Sequence, residues 1–272
     1  MLSLFLIRQR YALLPLAALL ITCRPTTAVS VSQSPSLTPT QAAIEKQRQR
    51  LAATDPEERR DALMQLGAMH RSEASRAATT GLSDSSPMVR AVAAKAILSL
   101  GPDESVVALT PLLADKNEFV RREVAYALGL TKSSKATDGL TQVLLNDKED
   151  GVRAAAAVAL GDVGDESAVV TLANILSGDA NSSSKRGKTE KNGFVLRAVA
   201  KSLGQIKSRA AVPALITALA NEKLVEDVRR EAARALGMIG DPAAVPALRI
   251  AAASGDPYLA QAAFESLRKL NP

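Results

Sequence analysis

Val228-Arg229-Arg230-Glu231-Ala232-Ala233-Arg234-Ala235-Leu236-Gly237-Met238-Ile239-Gly240 decides the fold. Counted from Arg229, its apolar residues fall at −1, +3, +4, +7 and +10. That is the stripe of a helix buried along one side. Glycine at +8 leaves room for a neighbouring helix, and glycine at +11 ends the helix. The phrase recurs at Val89-Arg90, Val120-Arg121 and Val152-Arg153, with weaker copies near Glu58-Arg59, Val195-Leu196 and Leu259-Ala260. Position 0 therefore falls at 59, 90, 121, 153, 196, 229 and 260, with spacings of 31, 31, 32, 43, 33 and 31 residues. A repeat of that length means stacked units, each burying its apolar face on the next, not one globular core.

Each unit reads as a helical hairpin. First helices are expected near 40–53, 72–83, 104–114, 134–146, 166–177, 208–220 and 242–253. Second helices are expected near 56–69, 87–100, 118–131, 150–163, 194–206, 225–239 and 257–270. Asp55, Asp84, Asp115, Asp147, Asp241 and Asp256 read as N-caps, and proline follows Asp55, Asp241 and Asp256 at the first helical position. No strand signal interrupts the pattern.

Composition agrees. Hydrophobic residues make up 47% of the chain but aromatics only 3%, with no Trp. Ala, Leu and Val suit close packing of helix on helix. The net charge is +6, but three of the 34 basic residues (Arg8, Arg10 and Arg24) lie in an acid-free first 30 residues, so the remainder carries only +3. That balance does not itself indicate nucleic acid. The lone Cys23 excludes an internal disulfide framework.

Residues 1–23 read as an export signal. Arg8-Gln9-Arg10 precedes an apolar run from Tyr11 to Thr22 that is shorter than the ~20 residues of a membrane span. Leu20-Ile21-Thr22-Cys23 resembles a lipobox, which would make Cys23 a lipidation site and the mature protein membrane-anchored, although Thr22 departs from the small residue that motif prefers. Thr26-Thr27-Ala28 offers ordinary signal cleavage instead, and an organelle transit peptide is a third reading. Periplasmic or membrane-anchored export is the expectation. Residues 24–39, rich in Ser, Thr and Pro, read as a disordered linker to an array over 40–272.

The motifs of Val120-Arg121 to Gly129, Val152-Arg153 to Gly164 and Val228-Arg229 to Asp241 resemble HEAT repeats, of the short, Ala-rich subtype named after phycobiliprotein lyases. The resemblance covers about residues 40–272. It implies an all-α, right-handed α-solenoid of about seven hairpins whose second helices line a concave face. It also implies an internal Asp–Arg ladder that holds repeats in register, here drawn from Asp84, Arg90, Asp115, Arg121, Asp147, Arg153 and Arg229.

Such a repeat is nearly silent on function. Positions +1 and +5 of the second helices are expected to face the concave solvent side. Lys95, Arg122, Tyr126, Arg197, Lys201, Arg230 and Arg234 stand there as candidate partner-binding residues. The longest spacing marks a loop insertion at 178–193 whose basic cluster, Lys185, Arg186 and Lys188, suits an acidic partner.

Chemistry is poorly served. The chain has one His, His70, and one Cys, so no metal-ligand cluster assembles from them and no cofactor is expected. The His-Glu pairs of the related deoxyhypusine hydroxylases are missing, because Arg71 follows His70. A chain without Trp offers little for base stacking. The expectation is a non-catalytic, exported scaffold that binds another protein. A phycobilin lyase or its chaperone-like subunit, and a nucleic-acid-binding array, are the alternatives.

Overall fold

The computed structural model describes residues 37–178 and 190–270. The proposed signal with Cys23, most of the linker, and Lys185, Arg186 and Lys188 of the insertion lie outside the described residues. From Thr38 onward the chain forms one compact unit.

Fourteen α-helices occupy the described residues, without a strand among them. They pair into hairpins: α1 (Pro39–Arg50) with α2 (Pro56–Ala68), α3 (Ser72–Ala78) with α4 (Pro87–Ala96), and α5 (Pro102–Leu109) with α6 (Glu118–Leu130). Next come α7 (Thr137–Asn146) with α8 (Asp150–Val163) and α9 (Val169–Ser177) with α10 (Gly193–Ile206). Last are α11 (Val212–Ala220) with α12 (Glu226–Ile239) and α13 (Val245–Ala252) with α14 (Pro257–Leu270). The architecture is an α-solenoid of seven hairpins. Tighter 3-10 turns start or finish most first helices, over 79–83, 110–114, 134–136, 166–168, 209–211 and 242–244. Pro111 contributes to one of them, since it lacks the N–H that a continued α-helix would use.

The helix ends follow local chemistry. Asp55, Asn117 and Asn192 cap their helices through side-chain acceptance of amides two or three residues on. Asp84, Asp115 and Asp147 depart from the N-cap expectation. Each precedes the cap by two residues and accepts the amide of Ser86, Asn117 or Glu149 at 2.8, 2.8 and 2.9 Å. The carboxylate thus shapes the turn before the helix rather than its first turn.

Position +11 is left-handed in every described second-helix ending: His70, Gly101, Lys132, Gly164, Lys207 and Gly240 all have positive φ. The sharp reversal into the next hairpin demands this conformation whether or not glycine supplies it.

The core is the apolar stripe repeated. Leu66, Ile97, Leu128, Leu160, Leu203 and Leu236 at +7 are fully buried, as are the small residues around them. Burial of each such side chain contributes about 1.5–3 kcal/mol. Neighbouring second helices approach through a small-residue contact. A Cβ on Gly129 would lie 2.8 Å from the Ala159 Cα, and one on Gly204 2.8 Å from the Ala235 Cα. First helices touch one another far less. The closely spaced second-helix layer therefore lies on the inside of the curve. The second hairpin departs, with Leu98 at +8, and there α4 stops at Ala96 and continues as 3-10 turn.

Candidate partner-binding face

Two sets of charged residues have to be separated. The first lies along the turn edge. Arg59 Nε and Nη2 donate to Asp84 Oδ2 and Oδ1 at 2.7 and 2.8 Å. Arg90 grips Asp115 at 2.7 and 2.9 Å, and Arg121 grips Asp147 at 2.7 and 3.0 Å. In each case Nη1 turns to carbonyls of the arginine's own turn, such as those of Ala53, Asp84 and Asp115. One guanidinium thus ties its own turn to the carboxylate of the next repeat, in the bidentate geometry that favours arginine over lysine.

Arg90 and Arg121 are each 7% exposed and Arg153 2%, so these are internal contacts. Their electrostatics follow the geometry. Hydrogen bonds from Arg59 hold the Asp84 carboxyl below its usual range. Burial pushes Asp115 upward, but the Arg90 hydrogen bonds and the Asn117 amide outweigh it, and the net shift is down. The Asp147 hydrogen bonds raise Arg121.

Arg59 joins the ladder although the expected set omits it, and two further rungs differ from that set. Arg153 Nε donates to Glu190 Oε2 at 2.7 Å, and its Nη2 also meets Asp150. Burial pushes the Glu190 carboxyl up and Arg153 pulls it further down, for a net lowering. Glu190 escaped sequence reading, yet it stands six residues before position 0 at 196, the offset that separates Asp84 from Arg90. Arg229 is the correction. Among the described residues it makes no ladder contact; its Nε donates to the Leu219 carbonyl at 3.0 Å. The physical reason is a missing acid, because Ser254 occupies the place of the ladder aspartate.

The second set lies on the concave side of the second helices. Most of its cations are already paired. Lys95 Nζ sits 2.8 Å from Glu123, and Arg122 lies 3.6 Å from that carboxylate with its guanidinium 5.1 Å from the centroid of the Phe119 ring. Arg230 reaches Asp227 at 2.8 Å and Asp256 at 3.7 Å and stacks over Tyr258 at 5.4 Å. Arg234 meets Glu231 at 3.4 Å. Arg197 and Lys201, one turn apart on α10, are exposed and have no carboxylate within ion-pair distance among the described residues. Tyr126 is half-buried against the core. At the same +1 position, Ala91 and Ala154 are 3% and 1% exposed, against the expectation of a solvent-facing row. A methyl group is too short to rise above the flanking helices.

An apolar cavity of about 570 Å³ opens on this side between α2, α4 and α6. Met64, Ala91, Val92 and Phe119 line it, with Lys95, Glu123 and His70 among its polar members. The face therefore carries an apolar hollow near one end and, on α10, a basic pair without a carboxylate partner among the described residues. No group of three or more His, Cys, Asp or Glu side chains suited to a metal ion occurs among the described residues. No helix there is long and apolar enough to cross a membrane.

No curated protein sequence matches the chain. Among solved structures, the complex of CpcE and CpcF of phycocyanin lyase from Nostoc sp. PCC7120 is 24% identical, with 89% of this chain and 91% of that chain covered and a TM-score of 0.49. Human deoxyhypusine hydroxylase is 23% identical over 84% of each chain, with a TM-score of 0.43. The karyopherin Kap121p, bound to the extreme C-terminus of the protein phosphatase Cdc14p, gives a TM-score of 0.58 at 15% identity, over 86% of this chain and 30% of that chain. These likenesses concern the fold. The family of HEAT repeats matches residues 44–129, 108–186 and 188–268. With its repeated Arg-x-x-Ala phrase, seven hairpins and family match over nearly the whole described array, the chain belongs to the HEAT-repeat family.

Proposed function

We propose that the array is a non-catalytic scaffold that holds an extended segment of another protein along its concave face. The observation that carries this reading is the pairing of an apolar cavity over α2, α4 and α6 with Arg197 and Lys201 on α10, which have no carboxylate partner among the described residues. Second helices packed roughly 9 Å apart put α4 and α10 about 27 Å from each other. An extended chain spans that gap in about eight residues at roughly 3.3 Å each. The recognised segment would present an apolar side chain at one end and an acidic residue about eight positions away.

The charge pattern supports a polypeptide over nucleic acid. Glu123, Asp227, Glu231 and Asp256 already engage four of the six basic candidates, leaving little free charge to track a phosphate backbone. The test is to identify the partner by crosslinking in the native host and then measure its affinity for Arg197→Glu/Lys201→Glu. A loss of roughly tenfold or more with an unchanged helical spectrum is expected. Unchanged affinity removes the α10 cations from the site.

The same proposal includes export. Arg8 and Arg10 before an apolar run support it, and Cys23 is the proposed point of lipid attachment. Cell fractionation of wild type and Cys23→Ala tests both halves. Release of the variant into a soluble exported fraction is the expected result, and wild type retained inside the cell would refute export.

A further inference from the structure

Among the described residues, the ladder lacks an acid at its C-terminal end. In three earlier repeats the arginine at position 0 meets the aspartate that opens the next repeat's second-helix turn, with contacts of 2.7 to 3.0 Å. For Arg229 that place belongs to Ser254, six residues before position 0 at 260. Ser254 keeps half of the aspartate's task, since its Oγ accepts the Asp256 amide at 3.2 Å as Asp115 accepts that of Asn117 at 2.8 Å. It has no carboxylate for the other half. Arg229 is half-buried, its Nε donates to the Leu219 carbonyl, and among the described residues no carboxylate comes within ion-pair distance of it.

Arg229 also lines a cavity of about 600 Å³ between α11 and α13, with Ile216, Pro246 and Ile250 on its walls and Glu222 among its lining residues. The corresponding groove between the 3-10 turn at 110–114 and α7 contains Arg121 together with Asp147, the carboxylate that Arg229 lacks. Ile250, on α13, is 77% exposed. A guanidinium short of its carboxylate beside an exposed aliphatic wall is complementary to an acidic side chain with an apolar neighbour. Glu222, among the lining residues, adds a negative charge that disfavours a polyanion.

We propose that the groove between α11 and α13 is a peptide-docking site in which Arg229 receives the carboxylate of an aspartate or glutamate from a partner polypeptide. The site lies in the first-helix layer, apart from the concave face, and stands or falls independently of the function proposed above. With Nε already donating to the Leu219 carbonyl, the incoming acid would meet the Nη groups of Arg229, and its aliphatic neighbour would lie on Pro246 and Ile250.

The test uses the full chain and two short probes, Ac-Leu-Asp-Leu-NH2 and the uncharged Ac-Leu-Asn-Leu-NH2. The side-chain Nε–Hε resonance of Arg229 is followed by NMR at probe concentrations of about 5 mM, suited to a Kd near 1 mM. The Asp probe is expected to shift that resonance and the Ile250 methyls, with the Asn probe weaker by roughly tenfold. Ser254→Asp supplies the carboxylate in cis. It is expected to raise Tm and to abolish the response to the Asp probe, and Arg229→Gln is expected to abolish the Ile250 response. Lys201→Glu, on the concave face, is expected to leave the Asp response intact. Equal responses to both probes, no response to either, an Ile250 response that survives Arg229→Gln, or loss of response in Lys201→Glu would each overturn the assignment.

Discussion

Arg153 and Glu190 make across 37 residues the contact that Arg121 and Asp147 make across 26, with Nε to carboxylate distances of 2.7 Å in both. The turn inside the fifth hairpin, between α9 and α10, lengthens, yet its far end delivers an acid to the equivalent guanidinium of the preceding repeat. The Arg153 side chain is 2% exposed and that of Glu190 13%, so little water is available to substitute for the lost partner. Glu190→Ala should therefore destabilise the array by about 2–4 kcal/mol, with Asp150 retaining part of the interaction. Urea unfolding measures it. A change near zero would mean that Glu190 is not a rung of the ladder.

The ladder also sets a pH dependence. Asp84, Asp115 and Glu190 all have folded-state carboxyls below their usual values. A depressed carboxylate contributes stability that is fully present above the unfolded pKa and disappears as pH falls through the folded one. With unfolded Asp at about 3.9 and Glu at about 4.3, Tm should hold steady down to about pH 5 and then decline as pH falls below those unfolded values. Asp84→Asn should flatten that decline. A Tm indifferent to acid over this window would contradict the assigned pairings.

Three non-glycine residues occupy the left-handed position that ends second helices. Lys207 has φ 60° and Lys132 φ 57°. Lys132 has a compensating contact, Nζ to the Asp162 carbonyl at 2.6 Å, whereas Lys207 is exposed and has no such bond among those observed. Lys207→Gly should stabilise by about 0.5–1 kcal/mol and Lys132→Gly by less. Gly240→Ala should cost about 1 kcal/mol. Thermal unfolding of the three variants decides the matter, and destabilisation by Lys207→Gly would show that the turn is not strained there.

Close approach of second helices is testable at one atom. A Cβ on Gly161 would fall 2.5 Å from Gln205 Oε1, 2.7 Å from Ser202 Oγ and 2.8 Å from the Ser202 Cα. The last of these is backbone and cannot swing aside. Gly161→Ala should lose about 1–3 kcal/mol by overpacking. Gly151, in the same helix, has open space at its Cβ, so Gly151→Ala should be neutral or stabilising. Equal effects from the two would refute the packing contact.

The hairpins were legible because the stripe at −1, +3, +4, +7 and +10 and the punctuation at +11 are local signals. The buried ladder arginines were legible for the same reason, each lying beside the stripe. Glu190 was hidden by the insertion, although the six-residue offset before Leu196 marks it. Arg229 shows the reverse error, an arginine in the right place whose partner, Ser254, has lost its acid. The state of the concave cations was least readable. Lys95 pairs with Glu123 of the following hairpin, and Arg230 meets Asp256 of the next turn, contacts that exist only after stacking. Ala91 and Ala154 sink for that reason too.

The central claim is that a protein partner lies along the second helices, and site-specific photocrosslinking tests it most directly. A photoreactive side chain replaces Val158, on the concave side of α8, or Val170, which is 67% exposed on the first helix α9. Irradiation in the native host should yield one dominant crosslinked protein from position 158 and none of it from position 170. The same product from both positions, or from 170 alone, would contradict binding in the concave face.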